Sequence, residues 1–254
     1  MDGRELLPGM LGNGDDIDLL IAERDARAKA NQEIQLPIRI NASGFKDYVT
    51  KPEKTAEHML RPMPEEPYQA TRAGTIFHNM MEQRFAGIEG ILGSGDYDAQ
   101  VEGTPASIQE LGLELWAKQL NEVDLAEHRE TIDELQAQFE KSRWANQIPA
   151  AVEIEIQLAV DNNIFICKLD AVFATENGYE VVDWKTGVAP KSPQEVEERS
   201  LQLALYRLAF ATLKQIPPEQ VTACLYYVTD NEVVTPDPLL SKEELLARWK
   251  RVTA

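Results

Sequence analysis

Val181-Val182-Asp183-Trp184-Lys185-Thr186-Gly187 is the stretch on which the fold of this 254-residue chain turns. It is rich in β-formers and closes on a glycine, which predicts a short strand ending in a turn. Side chains alternate along a strand, so Asp183 and Lys185 share one face and Val182 and Trp184 the other. A carboxylate beside an ammonium on a rigid strand suits a divalent metal placed next to a charge-stabilising or proton-transferring group. The same triplet also serves as a plain surface ion pair, and only the flanking sequence separates the two.

Upstream lies a second β-rich run, Ile164 to Ala174, joined to the first by Thr175-Glu176-Asn177-Gly178. Asn-Gly between two such runs predicts a tight hairpin. With Asn177 and Gly178 as its loop, Asp170 lies opposite Lys185 and Val172 opposite Asp183. Asp170, Asp183 and Lys185 then converge on one face, above a core face of Phe165, Leu169, Phe173, Val182 and Trp184. A one-residue slip would undo this. Ala151 to Val160 alternates strictly and predicts a half-buried strand. With Asn162 and Asn163 as the next loop, Glu155 lies opposite Asp170. That makes Glu155 either a residue bordering the site or a solvated edge carboxylate.

The surrounding helices complete an α/β reading. Gln194 to Lys214 carries a buried stripe of Leu201, Ala204, Leu205, Leu208 and Leu213. As a crossover between the Lys185 strand and the apolar run Val221–Val228, it suits a parallel pairing. The fold class is α/β, a central mixed sheet with helices on both sides. Gln202 and Tyr206 fall together beside the stripe, with Arg199 one turn back. They form either a phosphate-positioning set or a helix shoulder. Thr71 to Phe85 predicts another helix, on which His78 and Glu82 are neighbours four apart.

His78 in Gly74-Thr75-Ile76-Phe77-His78, then Asp170, then Asp183-Trp184-Lys185-Thr186-Gly187, then Gln202-Leu203-Ala204-Leu205-Tyr206 stand in order across residues 74 to 206. This series resembles the RecB-like branch of the PD-(D/E)xK nuclease superfamily. It departs in having Leu169 before Asp170 where that branch often has proline, Cys167 where it often has glycine, and Ala171 where it often has arginine. The resemblance implies a restriction-endonuclease-like core that hydrolyses DNA phosphodiesters, with Asp170, Asp183 and Lys185 as catalytic residues. It implies Mg²⁺ or Mn²⁺ held by His78, Asp170, Asp183 and the main-chain carbonyl of Trp184, and DNA positioned by Gln202 and Tyr206. Glu82, Glu155 and Arg199 are weaker candidates. Such domains accompany helicase motors, in the same parent chain or in a partner subunit, and act in DNA repair and recombination as nucleases or exonucleases.

Composition sets limits. Lys and Arg number 25 against 43 Asp and Glu, a net charge of −18. Residues 87–147 alone hold 13 acids against 4 basic residues, a net of −9. A free-standing DNA-binding surface is usually basic. The acidity therefore keeps a second reading open, a nuclease-fold module that binds a partner or DNA without cutting. A metal-dependent hydrolase of some other phosphoester is a third. The two cysteines, Cys167 and Cys224, read as buried reduced thiols and are too few for an iron–sulfur cluster. There is no phosphate-binding G-x-x-x-x-G-K-[ST] motif, so no nucleotide cofactor is expected. No long apolar run or secretory leader is visible, so no membrane span is expected and a cytoplasmic location is; the resemblance to DNA nucleases implies association with the nucleoid.

For organisation, residues 1–70 read as an N-terminal helix (Asp16 to Gln32), a short strand at Leu36–Ile40 and a helix capped by Ser43. A proline-bearing loop follows over residues 50–71. Residues 71–254 read as the nuclease domain. An acidic helical hairpin, Ser107–Leu120 and Val123–Ser142, reads as inserted at about 87–147.

Overall fold

The computed structural model describes residues 17–24, 36–60, 69–92 and 129–253. The chain divides into two compact units, Met1–Leu36 and Pro37–Ala254. The described part of the first is a helix over residues 17–24, with Ile17, Leu19, Leu20 and Ile21 exposed.

The second unit is built on a six-stranded mixed sheet. β1 (Arg39–Asn41) leads through a 3-10 turn at Ala42–Gly44 into the helices α1 (Phe45–Thr50) and α2 (Pro52–Leu60). Two further helices follow, α3 (Gln69–Leu92) and α4 (Arg129–Phe139). β2 (Ala151–Val160), β3 (Asn163–Thr175) and β4 (Gly178–Lys185) form an antiparallel meander. α5 (Pro193–Lys214) crosses to β5 (Val221–Tyr227), which runs parallel to β4 as expected. β6 (Glu232–Val234) pairs antiparallel with β5, and α6 (Lys242–Thr253) follows. Local chemistry sets the bounds of α5. The Ser192 side chain accepts from the Glu195 N–H, Pro193 sits where no N–H is needed, and Gln215 ends the helix in the left-handed region.

The sheet is packed on both faces. On one, α3 and α4 bury Phe77, Met81, Phe85, Ile132, Leu135 and Phe139 against Phe173, Val182, Trp184 and Tyr226. On the other, Tyr179 meets Phe210 of α5 with ring centroids 5.1 Å apart. Phe165 does not join the Phe173–Trp184 face as expected. It packs on Phe45 and Trp249, at 5.4 and 5.0 Å. Thirteen strand residues span about 43 Å, so the two ends of β3 meet different helices.

Several boundaries differ from the sequence expectation. β1 pairs in parallel with Ile164–Ile166 of β3, so the unit begins at Pro37 and the boundary expected at residue 71 falls inside it. Residues 52–60 are helical rather than loop, because proline is well placed at a first helical position. Ser43 lies within the 3-10 turn, and α1 starts after Gly44 without a side-chain cap. α4, in the part of the chain read as an insertion, forms a wall of the core. Its neighbour Glu140 pairs with the fully buried Arg84 of α3. The expected helix Ser107–Leu120 lies outside the described residues.

Both hairpin loops close one residue early. Thr175 pairs with Gly178, leaving Glu176-Asn177 as the loop, and Val160 pairs with Asn163, leaving Asp161-Asn162. Gly178 has φ 142°, and a Cβ there would sit 1.9 Å from the Gln220 carbonyl oxygen, so glycine is required at the first strand position. Asn163 is drawn into β3 because its Nδ2 donates to the Pro37 carbonyl (3.0 Å) and its Oδ1 accepts from Trp249 Nε1 (3.3 Å). Each change moves the partner by two positions, so faces are kept while the opposed residues change. Val172 faces Val181, and Glu155 faces Lys168 rather than Asp170. Among the described residues, no helix is long and apolar enough to cross a membrane.

Candidate active site

β2 occupies one edge of β3 from Asn163 to Val172. β1 and β4 therefore share the other edge, β1 at Ile164–Ile166 and β4 at Ala171–Thr175. The β3–β4 ladder ends at Ala171–Val182, one step short of setting Asp170 against Asp183. Beyond that point β4 stays paired with β5, through Asp183–Leu225, Trp184–Tyr226 and Lys185–Tyr227. The Trp184 N–H, without a strand partner on this side, donates to Asp170 Oδ2 at 2.7 Å. A carboxylate thus replaces a backbone rung and props open a fork, with Asp170 on one prong and Asp183 and Lys185 on the other. The Lys185 carbonyl accepts from the Val228 N–H on the β5 side (2.9 Å). Alternation then turns the Trp184 carbonyl towards the fork.

Trp184 anchors this prong from behind. Its ring is 1% exposed and lies edge-on to Phe139 at 5.7 Å and Trp144 at 5.6 Å. On its site face, Asp183 is 2% exposed. Its Oδ2 lies 2.5 Å from Lys185 Nζ, and its Oδ1 accepts from Gln202 Nε2 at 3.2 Å. The same Gln202 nitrogen reaches the Tyr206 hydroxyl at 2.6 Å. Gln202 and Tyr206, three and seven residues on from Arg199 along α5, therefore turn inward and steady Asp183. The Arg199 guanidinium lies 5.5 Å from the ring centre of Tyr227, the strand neighbour of Lys185, and so at the rim of the fork.

α3 closes the third side. Its approach is tight at Gly74, where a Cβ would come within 3.0 Å of Thr186 Oγ1. One turn on, His78 Nδ1 lies 3.4 Å from Asp170 Oδ1 and 3.4 Å from Glu153 Oε1. Glu82, a turn further, is exposed and faces solvent rather than the fork. Glu155 is exposed as well, across from Lys168. The residue that does border Asp170 from β2 is Glu153. The ladder pairs Ile154 with Leu169 and Val152 with Ala171 but leaves out Glu153, whose φ is 46°. Sequence reasoning missed it because the register rested on an Asn162-Asn163 loop. The one available signal was that an Asp161-Asn162 loop would align Glu153 with Asp170.

The electrostatics follow from burial and pairing. Burial disfavours a charged Asp183 and, with Asp170 nearby, outweighs Lys185, so its carboxyl is pushed up to about 6. Burial opposes the His78 cation, but Asp170 and Glu153 overcome it and push the imidazole up to about 10. For Lys185, burial is likewise overcome by Asp183 and Asp170, and its pKa rises. Burial, reinforced by Asp183, pushes the Tyr206 phenol up. The fork is an excess of negative charge held with incomplete compensation. One histidine nitrogen and two carboxylate oxygens, from His78, Glu153 and Asp170, lie within 4.8 Å of one another. That donor set fits a divalent cation. Cys167 and Cys224 are buried, with thiols pushed up to about 12, and take no part.

No curated protein matches the chain. Among solved structures it is similar to a candidate exonuclease from Eubacterium rectale, with 11% identity, a TM-score of 0.48, and coverage of 85% of this chain and 77% of that one. The family model of the PD-(D/E)XK nuclease superfamily matches residues 51–253, a span that contains the whole fork and both helices closing it. The chain belongs to the PD-(D/E)XK nuclease superfamily.

Proposed function

We propose that this chain is a divalent-metal-dependent deoxyribonuclease that hydrolyses phosphodiester bonds. The observation that carries this is the fork itself, where Asp170, Asp183 and Lys185 converge on strands that part company. His78, Asp170, Asp183 and the Trp184 carbonyl would hold Mg²⁺ or Mn²⁺. When bound, the cation would supply Lewis acidity, acidifying water and offsetting charge on the scissile phosphate. Lys185 is held as an ammonium by Asp183 and Asp170. Its role would be to orient or activate the attacking water, or to meet the developing phosphorane charge as a cation and hydrogen-bond donor. Gln202 and Tyr206 keep Asp183 in register with Lys185, and Arg199 is placed to meet a neighbouring phosphate.

The net charge of −18 bears on how DNA arrives. An acidic protein repels a polyanion, so delivery by a helicase motor, in a longer parent chain or a partner subunit, suits this site. The setting proposed with it is repair or recombination in the cytoplasm, at the nucleoid. The same acidity favours the second reading, a module that binds a partner or DNA without cutting.

The test is incubation with single- and double-stranded DNA in Mn²⁺, with EDTA and Asp183→Asn as controls. Cleavage in Mn²⁺ that both controls abolish is the expected result. Cleavage that persists in EDTA refutes metal dependence, and binding without cleavage, with a motor present, selects the second reading.

A further inference from the structure

We infer that Glu153 is a protein ligand of the cation, beside His78 and Asp170, so that the cation is held on the β2 side of the fork. This rests on the metal-dependent reading of the site. Three observations lead to it. First, Glu153 is bent out of its own ladder. Its neighbours Val152 and Ile154 pair normally with β3, while Glu153 takes φ 46°, a conformation a long side chain adopts only when something compensates. Second, the bend delivers its carboxylate to the fork, where Oε1 lies 3.4 Å from His78 Nδ1. Asp170 Oδ1 lies at that same 3.4 Å from the same nitrogen. Both separations are long for hydrogen bonds. They are close to the spacing of ligands sharing one ion, since two donors about 2.1 Å from a cation lie about 3 Å apart. Third, the carboxylates divide their labour. Asp183 Oδ1 accepts from Gln202 and Asp170 Oδ2 from the Trp184 N–H, while Asp183 Oδ2, beside Lys185 and without a hydrogen-bond partner, is left to the cation from the β4 side. The oxygens left facing His78 are Asp170 Oδ1 and Glu153 Oε1.

The experiment is calorimetric titration of the metal-free chain with Mn²⁺, alongside thermal unfolding in EDTA. Glu153→Gln keeps size and should weaken Mn²⁺ binding by about 10-fold or more. Glu153→Gly should weaken it comparably while leaving the metal-free melting temperature unchanged or higher, because glycine accepts φ 46° without strain. Glu155→Gln, on the exposed part of the same strand, should bind as the parent does. In a His78→Ala background, Glu153→Gln should still reduce affinity; no further loss there would reduce Glu153 to a residue that merely positions His78 and would overturn the assignment. Parental affinity in Glu153→Gln while Asp170→Asn loses Mn²⁺ would also overturn it and leave the site reading intact. Parental affinity in Asp170→Asn as well would remove the site reading itself.

Discussion

Asp170 carries two functions that a pair of substitutions separates. Its Oδ2 accepts the N–H of Trp184, a residue 1% exposed, at 2.7 Å, and its charge adds to the burden on Asp183. Asp170→Ala leaves that buried N–H without an acceptor, which costs about 1–3 kcal/mol. Relief of repulsion on Asp183 offsets only part of this, because burial rather than Asp170 is the larger burden on Asp183. Asp170→Asn removes the charge but keeps an oxygen for the N–H, and since both variants lose the charge that faces His78, the asparagine differs from the alanine mainly in that acceptor. Alanine should therefore fall below asparagine by about 1–2 kcal/mol, while both lose Mn²⁺. The assay is urea unfolding in EDTA at neutral pH, followed by tryptophan fluorescence, where a shift in midpoint at constant slope reports stability. Equal midpoints for the two variants would refute the idea that this carboxylate replaces a rung of the sheet.

Three further outcomes follow from the same geometry. The folded, metal-free protein keeps a proton on His78 up to about 10, against an ordinary value of 6.5. The stability this contributes is full below 6.5 and is lost as pH rises towards 10, so melting temperature in EDTA should fall across that window and His78→Gln should flatten the fall; an unchanged slope in the variant would contradict it. Gly178→Ala must meet both φ 142° and the Gln220 carbonyl 1.9 Å from the new Cβ, and should cost about 3 kcal/mol or more by chemical denaturation; a near-neutral variant would overturn the account of the hairpin register. The isolated chain, at net −18, should bind DNA weakly and with steep salt dependence in a fluorescence titration, and tight binding at physiological salt would count against delivery by a partner.

The sequence made the sheet legible because its signals are local. Strict alternation marked β2, β-rich runs marked β3 and β4, and a long amphipathic helix between apolar strands marked the parallel step to β5. It also brought Asp170, Asp183 and Lys185 to one face, since an error of two positions in pairing preserves faces. What it missed depends on contacts distant in the chain. The two hairpin registers are set by Gln220 against Gly178 and by Pro37 and Trp249 around Asn163. The place of Pro37–Leu60 in the main unit depends on β1 pairing more than 120 residues away with Ile164. Glu153 was hidden for the same reason, since the register that sets it opposite Asp170 depends on Asn163 being drawn into β3. The inward turn of Gln202 and Tyr206 was unreadable because helical spacing gives a shared face but not what that face meets.

The measurement that tests the central claim most directly is a single-turnover rate of DNA cleavage in Mn²⁺, with metal affinity recorded in parallel, for the parent, Lys185→Ala, Lys185→Gln and Lys185→Arg. Lys185 lies 2.5 Å from Asp183 and is held protonated beside the fork. If its charge meets the transition state, alanine should retain Mn²⁺ and DNA binding but lose cleavage, because only interactions stronger in the transition state speed the chemistry. Glutamine, without the charge, should also be slow, and arginine should rescue poorly because a planar guanidinium does not fit the space of an ammonium. Equal rates in all four would remove Lys185 from the mechanism, and no cleavage by the parent with metal and motor present would contradict the nuclease assignment.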